Sequence, residues 1–556
     1  NYYVADVYGT YNKTFSEKHN LTLIAGYNYE AKYYRDLTAA NDGLLSEDLS
    51  DFNLAKGTTN FTLNGGRNEY AIMGWFYRAA YDYKGKYLAE VNGRYDGTSR
   101  FPRGKRYGFF PSFSAAYRIS EEAFFEPLRK TVDNLKIRLS YGSLGNQQIG
   151  YYDFIQTITT KGSMGDYSFD GTILGQHATV SDPVSGNQTW EKVISKNLGA
   201  DLNMFSNRLS LTADFYIRDT KGILGKGKSL PSIYGANEPQ VNSNNLRTKG
   251  YELVLGWRDS FKLAGSTFSY GITGTFSDYT AEYTKCDNPS GLIGGPYVGK
   301  KYGEIWGYKV DGLFRNDEEA AEYASRVDLS KVAAGYYSAT GAYGKGVRGG
   351  DIKYLDLDGS GIVDGGKGTL EDPGDRRVIG NSSPRYQYGL TLNLSWYGFD
   401  LSVFMQGIGR LDWYPGADNL RFWGPYSRPY ATFIPKNFMS QVWSESNPDA
   451  YLPRARAYTS LSSTQGTAYY TNDRYLQNLA YCRLKNLTLG YTIPKRLTSK
   501  VGIKECRVYF SGENLATWSA LKNDFLDPEQ AAADSDKKSN VYPWCRTYSV
   551  GLNLTF

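Results

Sequence analysis

Two stretches carry the side chains best suited to chemistry. From Asp356 the chain reads DLDGSGIVD, which spaces oxygen donors at Asp356, Asp358, Ser360 and Asp364 and adds the main-chain carbonyl of Ile362. A hard cation needs several oxygens gathered by a turn that glycine permits, so this spacing suits Ca²⁺. The match is partial, because Lys367 stands where an EF-hand loop has its bidentate Glu, and a solvated Asp/Gly turn is the plainer alternative. The second stretch, 411–430, sets Trp413, Tyr414, Trp423, Tyr426 and Tyr430 among Arg421 and Arg428. Flat rings and guanidinium groups stack on sugar rings or clamp peptides. Trp413, Tyr414, Arg421, Trp423 and Tyr426 are therefore candidates for contact with a ligand, and Trp306 and Tyr308 are further ones. Self-packing of the loop, or an interface with another protein, would use the same residues.

Catalysis has no comparable support. Asp and Glu are plentiful, yet no spacing selects a pair for general acid and base work. The only histidines are His19 and His177, and neither a nucleophile elbow nor a phosphate-cradling glycine motif occurs. The four cysteines, Cys286, Cys482, Cys506 and Cys545, lack metal-ligand spacing, so neither zinc nor a disulfide framework is expected. Apart from Ca²⁺ no cofactor is implied. The net charge is +6, but the 63 basic and 57 acidic residues are interspersed without a basic stripe, so nucleic acid is not an expected partner.

The elements that must position these residues are strands. From Leu209 the apolar set Leu209, Leu211, Ala213, Phe215 and Ile217 alternates with Ser210, Thr212, Asp214, Tyr216 and Arg218. From Tyr386 the same period of two sets Tyr386, Tyr388, Leu390, Leu392, Leu394 and Trp396 against Gln387, Gly389, Thr391, Asn393 and Ser395. Both segments are long enough to cross a bilayer as tilted strands. Similar strands are expected near 2–15, 20–34, 69–83, 87–99, 107–119, 135–146, 192–205, 246–260, 268–283, 399–410, 480–491, 504–517 and 546–556, which makes about fifteen. In the strand near 480–491, Arg483 and Lys485 fall in phase with Leu487 and Leu489, which requires either snorkelling or a register break.

Composition fits a membrane barrel. Aromatics make up 15% of the chain, 50 of them Tyr, while 22% of residues are charged and the mean hydropathy is −0.51. A barrel carries aromatics as girdles at two membrane interfaces and keeps the other face polar. No run approaches the roughly 18 apolar residues of a helical span, which leaves the closed sheet as the spanning structure. Connections alternate between short and long. Short ones fall at 16–19, 84–86, 206–208, 262–266 and 397–398, with a longer, partly helical turn at 120–134. Long ones, expected outside the cell, fall near 35–68, 147–190, 221–245, 284–384, 411–478 and 518–545. An odd strand count with the last strand running inward, and no signal-peptide pattern at Asn1, lead to the expectation of further strands on the N-terminal side. The whole of 1–556 then reads as the C-terminal part of one transmembrane barrel.

Several phrases in order carry a resemblance: YLAEVNGRYDGTSRF from Tyr87, RYGFFPSFSAAYRISEE from Arg106, LKIRLSYGSLGNQQIG from Leu135, DRRVIGNSSPRYQYGL from Asp375 and RLKNLTLGYTIPKRL from Arg483. The last strand sets Tyr548, Val550, Leu552 and Leu554 on one face and ends in Phe556, like the terminal signal of outer-membrane proteins. The chain resembles the SusC/RagA family of TonB-dependent outer-membrane transporters along nearly its full length. That resemblance implies an all-β transmembrane antiparallel barrel of about 22 strands, with an N-terminal plug and early strands absent from this sequence. It implies active import of a nutrient, an oligosaccharide first and an oligopeptide second, rather than an enzyme. The implied partners are a SusD-like surface lipoprotein, the TonB complex acting through the absent N-terminal region, and outer-membrane lipids; a dimer of transporter–lipoprotein pairs is an assembly the resemblance allows. A passive porin and a soluble all-β glycan-binding or hydrolytic protein are the rival readings.

Overall fold

Period-two alternation becomes sheet along the whole chain. The computed structural model describes residues 1–46, 48, 51–58, 60–161, 168–169, 172–173, 177–228, 230–337, 346–428, 430, 432, 434–456, 460–461, 466–522, 526–533 and 542–556, so parts of all six expected long loops lie outside the described residues. Fifteen strands form one antiparallel sheet in which each pairs with its sequence neighbours. They are β1 (Tyr2–Phe15), β2 (His19–Ala40), β3 (Thr62–Tyr83), β4 (Tyr87–Thr98), β5 (Tyr107–Arg118), β6 (Val132–Asn146), β7 (Glu191–Met204), β8 (Leu209–Lys226), β9 (Gln240–Leu263), β10 (Ser266–Lys285), β11 (Arg385–Trp396), β12 (Phe399–Arg410), β13 (Tyr481–Thr492), β14 (Glu505–Ser519) and β15 (Thr547–Thr555). No helix among the described residues is long and apolar enough to cross a membrane.

The short turns follow from hairpin geometry. Ala264 and Gly265 have φ of 49° and 84°, and Tyr397 and Gly398 have 49° and 85°. Two successive positive φ values make the type I′ turn whose twist matches the flanking strands. The expected longer turn at 120–134 contains two 3₁₀ segments, Ile119–Glu121 and Ala123–Leu128. Two expected loops are shorter than their polar composition suggested. The β2–β3 ladder runs on to Ala40↔Thr62, and the strands flanking the expected 221–245 loop reach Lys226 and Gln240, because backbone pairing needs no strict apolar alternation to continue.

By its contacts the chain divides into two units. The first, Asn1–Glu126, Lys136–Leu198 and Tyr216–Arg247, holds β1–β5. Its odd-numbered side chains form one apolar face. Near the short turns Tyr83, Tyr87 and Tyr117 share a register row and stack with centroids 6.3 and 5.1 Å apart. Further along, Tyr27, Trp75, Tyr95 and Phe109 make a second aromatic row. From Trp75 to Tyr83 is roughly 26 Å along the strand, of the order of a barrel's apolar band of ~25 Å between its two girdles. The opposite face is polar, with Arg78 on Glu90 at 2.7 Å and Asn20 on Asp82 at 3.0 Å.

The second unit, Pro127–Leu135, Gly199–Phe215 and Thr248–Phe556, repeats the design over β10–β15. Tyr270, Leu394, Leu401, Leu489, Phe510 and Val550 follow one another across six strands, and Ile272, Leu392, Val403 and Leu487 form the next row. Between them runs the polar row Asn393, Ser402, Thr488, Ser511 and Ser549. Leu392→Lys therefore places a charge mid-band and is expected to cost about 2–4 kcal/mol, whereas Asn393→Lys on the polar face costs little. Urea unfolding of the two variants in lipid vesicles checks this; equal losses would show that the faces are misassigned.

The conflict at 480–491 resolves as a register break. In β13 the pairing steps from Leu484 directly to Asn486 against both neighbours, so Lys485 is bulged out of the ladder. The bulge shifts the phase by one, which puts Arg483 on the polar side while Leu487 and Leu489 stay on the apolar one. Asn514 on the facing strand takes a φ of 53° to accommodate the extra residue.

Candidate functional site

Within the second unit, the long connections after β10, β12 and β14 fold into one packed body. Two-stranded ribbons pair Glu304–Tyr308 with Arg376–Asn381, Val310–Leu313 with Ile352–Tyr354, and Asp412–Trp413 with Gln477–Asn478. Helix α1 (Asp317–Ala324) starts at an Asn316 cap, whose side chain accepts the Glu319 N–H, and has three acidic residues in its first turn, as the helix dipole favours. Phe314, Tyr336, Ile352, Tyr354, Val363, Trp423, Tyr475 and Leu479 are fully buried in a common core. This core draws on residues far apart in sequence, which is what makes a loop of this length rigid.

Four of the five aromatic and basic candidates of 411–430 lie inside that core. Trp413 is 5% exposed, Tyr414 7%, Trp423 0% and Tyr426 2%. Trp423 meets the Tyr475 ring edge-on at 5.1 Å and Phe422 at 4.8 Å. The Tyr426 hydroxyl donates to the Pro453 carbonyl at 2.5 Å, and that of Tyr414 donates to the Tyr470 carbonyl at 3.1 Å. Burial pushes both hydroxyls far above the usual phenol range, so they remain neutral donors. Arg421 and Tyr430 stay on the surface. Trp306 is half-buried and Tyr308 is buried. Burial was not legible from composition, because stacking on a ligand and stacking on a neighbouring loop call for the same rings.

Charged pairs tie the body together and to the sheet. Arg456 forks onto Asp351 at 2.9 and 2.5 Å, with both side chains almost wholly buried. The Tyr336 ring lies 4.1 Å beneath the guanidinium. Burial pushes the Asp351 carboxyl up, and the Arg456 charge opposes it. At the bulge, Arg483 reaches Asp527 at 2.7 Å and Glu529 at 2.8 Å, and Lys485 reaches Glu529 at 2.7 Å. Asp527 also caps the helical turn Pro528–Ala531. The register break thus gathers two cations where the loop after β14 supplies two carboxylates, an outcome the sequence signalled only as an out-of-phase pair.

The acidic turn is built around a residue the spacing did not suggest. Asp356, Asp358 and Asp375 bring carboxylate oxygens within 4.8 Å of one another. Asp375, fully buried, accepts the N–H groups of Leu357 at 2.6 Å and Asp364 at 2.9 Å. Asp356 accepts those of Gly359 and Gly361 at 2.8 and 2.9 Å. The other expected donors are engaged elsewhere: the Ser360 hydroxyl donates to the Ile362 carbonyl at 3.0 Å, and Asp364 accepts the Gly366 N–H at 2.7 Å. Burial pushes the Asp375 carboxyl above its ordinary range, while the Ser360 N–H and hydroxyl hold Asp358 below it. Gly359 and Gly361, at φ of 73° and 80°, permit the turn that aims these groups inward.

Comparison with known proteins agrees with this architecture. Residues 1–515 match the family model described as TonB dependent receptor-like, beta-barrel. The chain is 27% identical to TonB-dependent receptor P3 of Formosa agariphila, covering 100% of this chain and 52% of that protein. It is 23% identical to TonB-dependent receptor SusC of Bacteroides thetaiotaomicron over 87% of this chain and 44% of that one. The structure of the RagAB peptide transporter superposes with a TM-score of 0.75 at 21% identity, covering 100% of this chain and 55% of the other. The chain spans about half the length of the curated relatives it matches. With its apolar rows, aromatic rows and packed loops, the chain belongs to the TonB-dependent receptor-like β-barrel family and is a β-sheet segment of an outer-membrane protein.

Proposed function

We propose that the complete protein actively imports an oligomeric nutrient across the outer membrane, energised by TonB and assisted by a SusD-like surface lipoprotein. Substrate is held between the packed loops and that lipoprotein, and is released inward when the plug is remodelled. The observation that carries the reading is the likeness to SusC/RagA-type proteins over the full length of this chain, joined to a loop body with a core of its own rather than loose connectors. An oligosaccharide is the first substrate class and an oligopeptide the second. No side chains are assigned a catalytic role. Uptake of fluorescent oligosaccharides and oligopeptides by cells carrying the full-length protein tests this: uptake should cease without TonB or with a proton uncoupler. Uptake that persists at the same rate would mean passive diffusion through a porin.

We also infer that Asp356, Asp358 and Asp375 take Ca²⁺, which would link the turn at 356–364 to the strand that begins after Asp375. A carboxylate oxygen that accepts one backbone N–H keeps a lone pair for a metal. The sign of the pH dependence tests it. Without a cation, a carboxyl raised by burial favours the protonated form, so its contribution to stability is present below the unfolded range near ~4 and is lost as pH rises through the raised value. In chelator, the stability that Asp375→Asn gains over the native protein should grow as pH rises above about 4. Added Ca²⁺ should reverse the trend in the native protein and leave Asp375→Asn unaffected; an identical response in the variant would end this assignment.

A further inference from the structure

The first unit has a cleft on the apolar face, immediately beyond the second aromatic row. Tyr29, Met73, Gly97 and Tyr107 form one register row, with Arg106 at its upper end. They line a notch of about 160 Å³. Gly97 makes the notch, since a Cβ there would meet the Tyr107 ring at 2.4 Å. The notch shares Ala71, Ser99 and Arg106 with a larger cavity of about 810 Å³, to which Lys32, Arg103, Tyr152, Phe154 and Ile155 contribute. The segment at 152–155 crosses it as a flap, held by the Tyr152 hydroxyl on the Glu69 carbonyl at 3.2 Å.

The charge of this cleft is one-sided. The turn between β4 and β5 places Arg100, Arg103, Lys105 and Arg106 within seven residues of Ser99, and no acidic residue falls between Asp96 and Glu121. Arg100 is taken up between the rings of Tyr70 and Tyr151, at 4.8 and 4.7 Å. Arg106 donates through Nε to the Phe101 carbonyl at 3.0 Å, which orients its guanidinium. Arg103 is exposed and has no ion-pair partner among the described residues. Glu69, the one acidic residue of the cavity wall, lies 3.5 Å from Arg67.

We propose that this cleft binds a phosphorylated lipid of the outer leaflet, with its phosphate between Arg103 and Arg106 and an acyl chain in the notch over Gly97. The inference rests on the outer-membrane location and goes beyond transport. Two observations select the occupant: the notch continues the apolar band, and arginines stand at headgroup height, Arg106 being three residues beyond Phe109 of the upper girdle. Acyl chains already cover such a face in any bilayer, so burying one more gains little. Preference for this lipid comes from the guanidinium–phosphate pairs, which are charge-assisted and bidentate.

The test uses the full-length protein in detergent, delipidated and then titrated with bisphosphorylated lipid A, with bound lipid read by native mass spectrometry. Wild type should bind it, and dephosphorylated lipid A should bind about tenfold more weakly or worse. Arg103→Glu alone should weaken binding about tenfold. Ala71→Trp, which fills the cleft without changing charge, should also abolish binding and leave melting without lipid unchanged. These two variants keep the test decisive should Arg106→Glu disturb the turn it braces. Equal binding by R103E, equal binding of the dephosphorylated lipid, or displacement by inorganic phosphate would overturn the proposal. A protein that stays soluble without detergent would instead sink the membrane assignment beneath it.

Discussion

Arg456→Met is expected to loosen the loop body by about 3–5 kcal/mol, the usual consequence of leaving a buried carboxylate without its partner. Asp351 would remain, almost wholly buried, on a segment separated from Arg456 by more than a hundred residues. Its backbone is committed as well, since its carbonyl accepts the Phe314 N–H at 3.0 Å and its carboxylate the Arg348 N–H at 2.8 Å. The loss should show as new protease sites in 284–384 and 411–478 of the full-length protein, while the barrel keeps its resistance to detergent at room temperature. pH supplies a second signature. Burial already pushes the Asp351 carboxyl up, and without Arg456 only the Arg348 N–H and the more distant Arg454 charge oppose that shift. The protonated form then contributes stability that is present at low pH and is lost as pH rises through the raised value. The variant's deficit should therefore shrink toward about pH 5 and grow toward about pH 8. Asp351→Ala combined with Arg456→Met should recover part of the loss, because no orphaned charge remains. A variant as protease-resistant as the native protein across this range would mean that the pair contributes nothing.

The contrast between strands and loops explains how far sequence alone reached. All fifteen sheet strands were legible because one physical rule, lipid on one side and water on the other, acts on every second residue and needs no knowledge of distant partners. Even the exception at Lys485 left a trace, as two charges in phase with leucines. The loop body obeys no such local rule. Asp375 joins Asp356 and Asp358 from beyond the motif they suggested, and Arg456 finds Asp351 across two separate connections. Such contacts depend on which loops come to rest on one another, and period, spacing and composition do not encode that. The rings of 411–430 illustrate the ambiguity, since a cluster of Trp and Tyr has the same composition whether it greets a ligand or closes a core.

Trp423→Ala separates those two roles. The side chain is fully buried, with Tyr475 and Phe422 packed edge-on around it, so truncation leaves a large void in a rigid surround. A Trp-to-Ala change in such a core costs about 3–5 kcal/mol. The expected result is a loop body that melts separately from the sheet and is cut by protease within 411–478. Trp423→Phe should be far milder. It keeps most of the ring contact, and the indole N–H that it removes is buried without an acceptor among the described residues, so no hydrogen bond is lost. A residue that stacked on a transported molecule would behave differently: Trp423→Ala would weaken substrate capture while melting and protease resistance stayed native. The two readouts therefore divide packing from recognition. Capture should fail only in proportion to the unfolded fraction of the loop body, because a buried ring acts by holding the surrounding surface in shape.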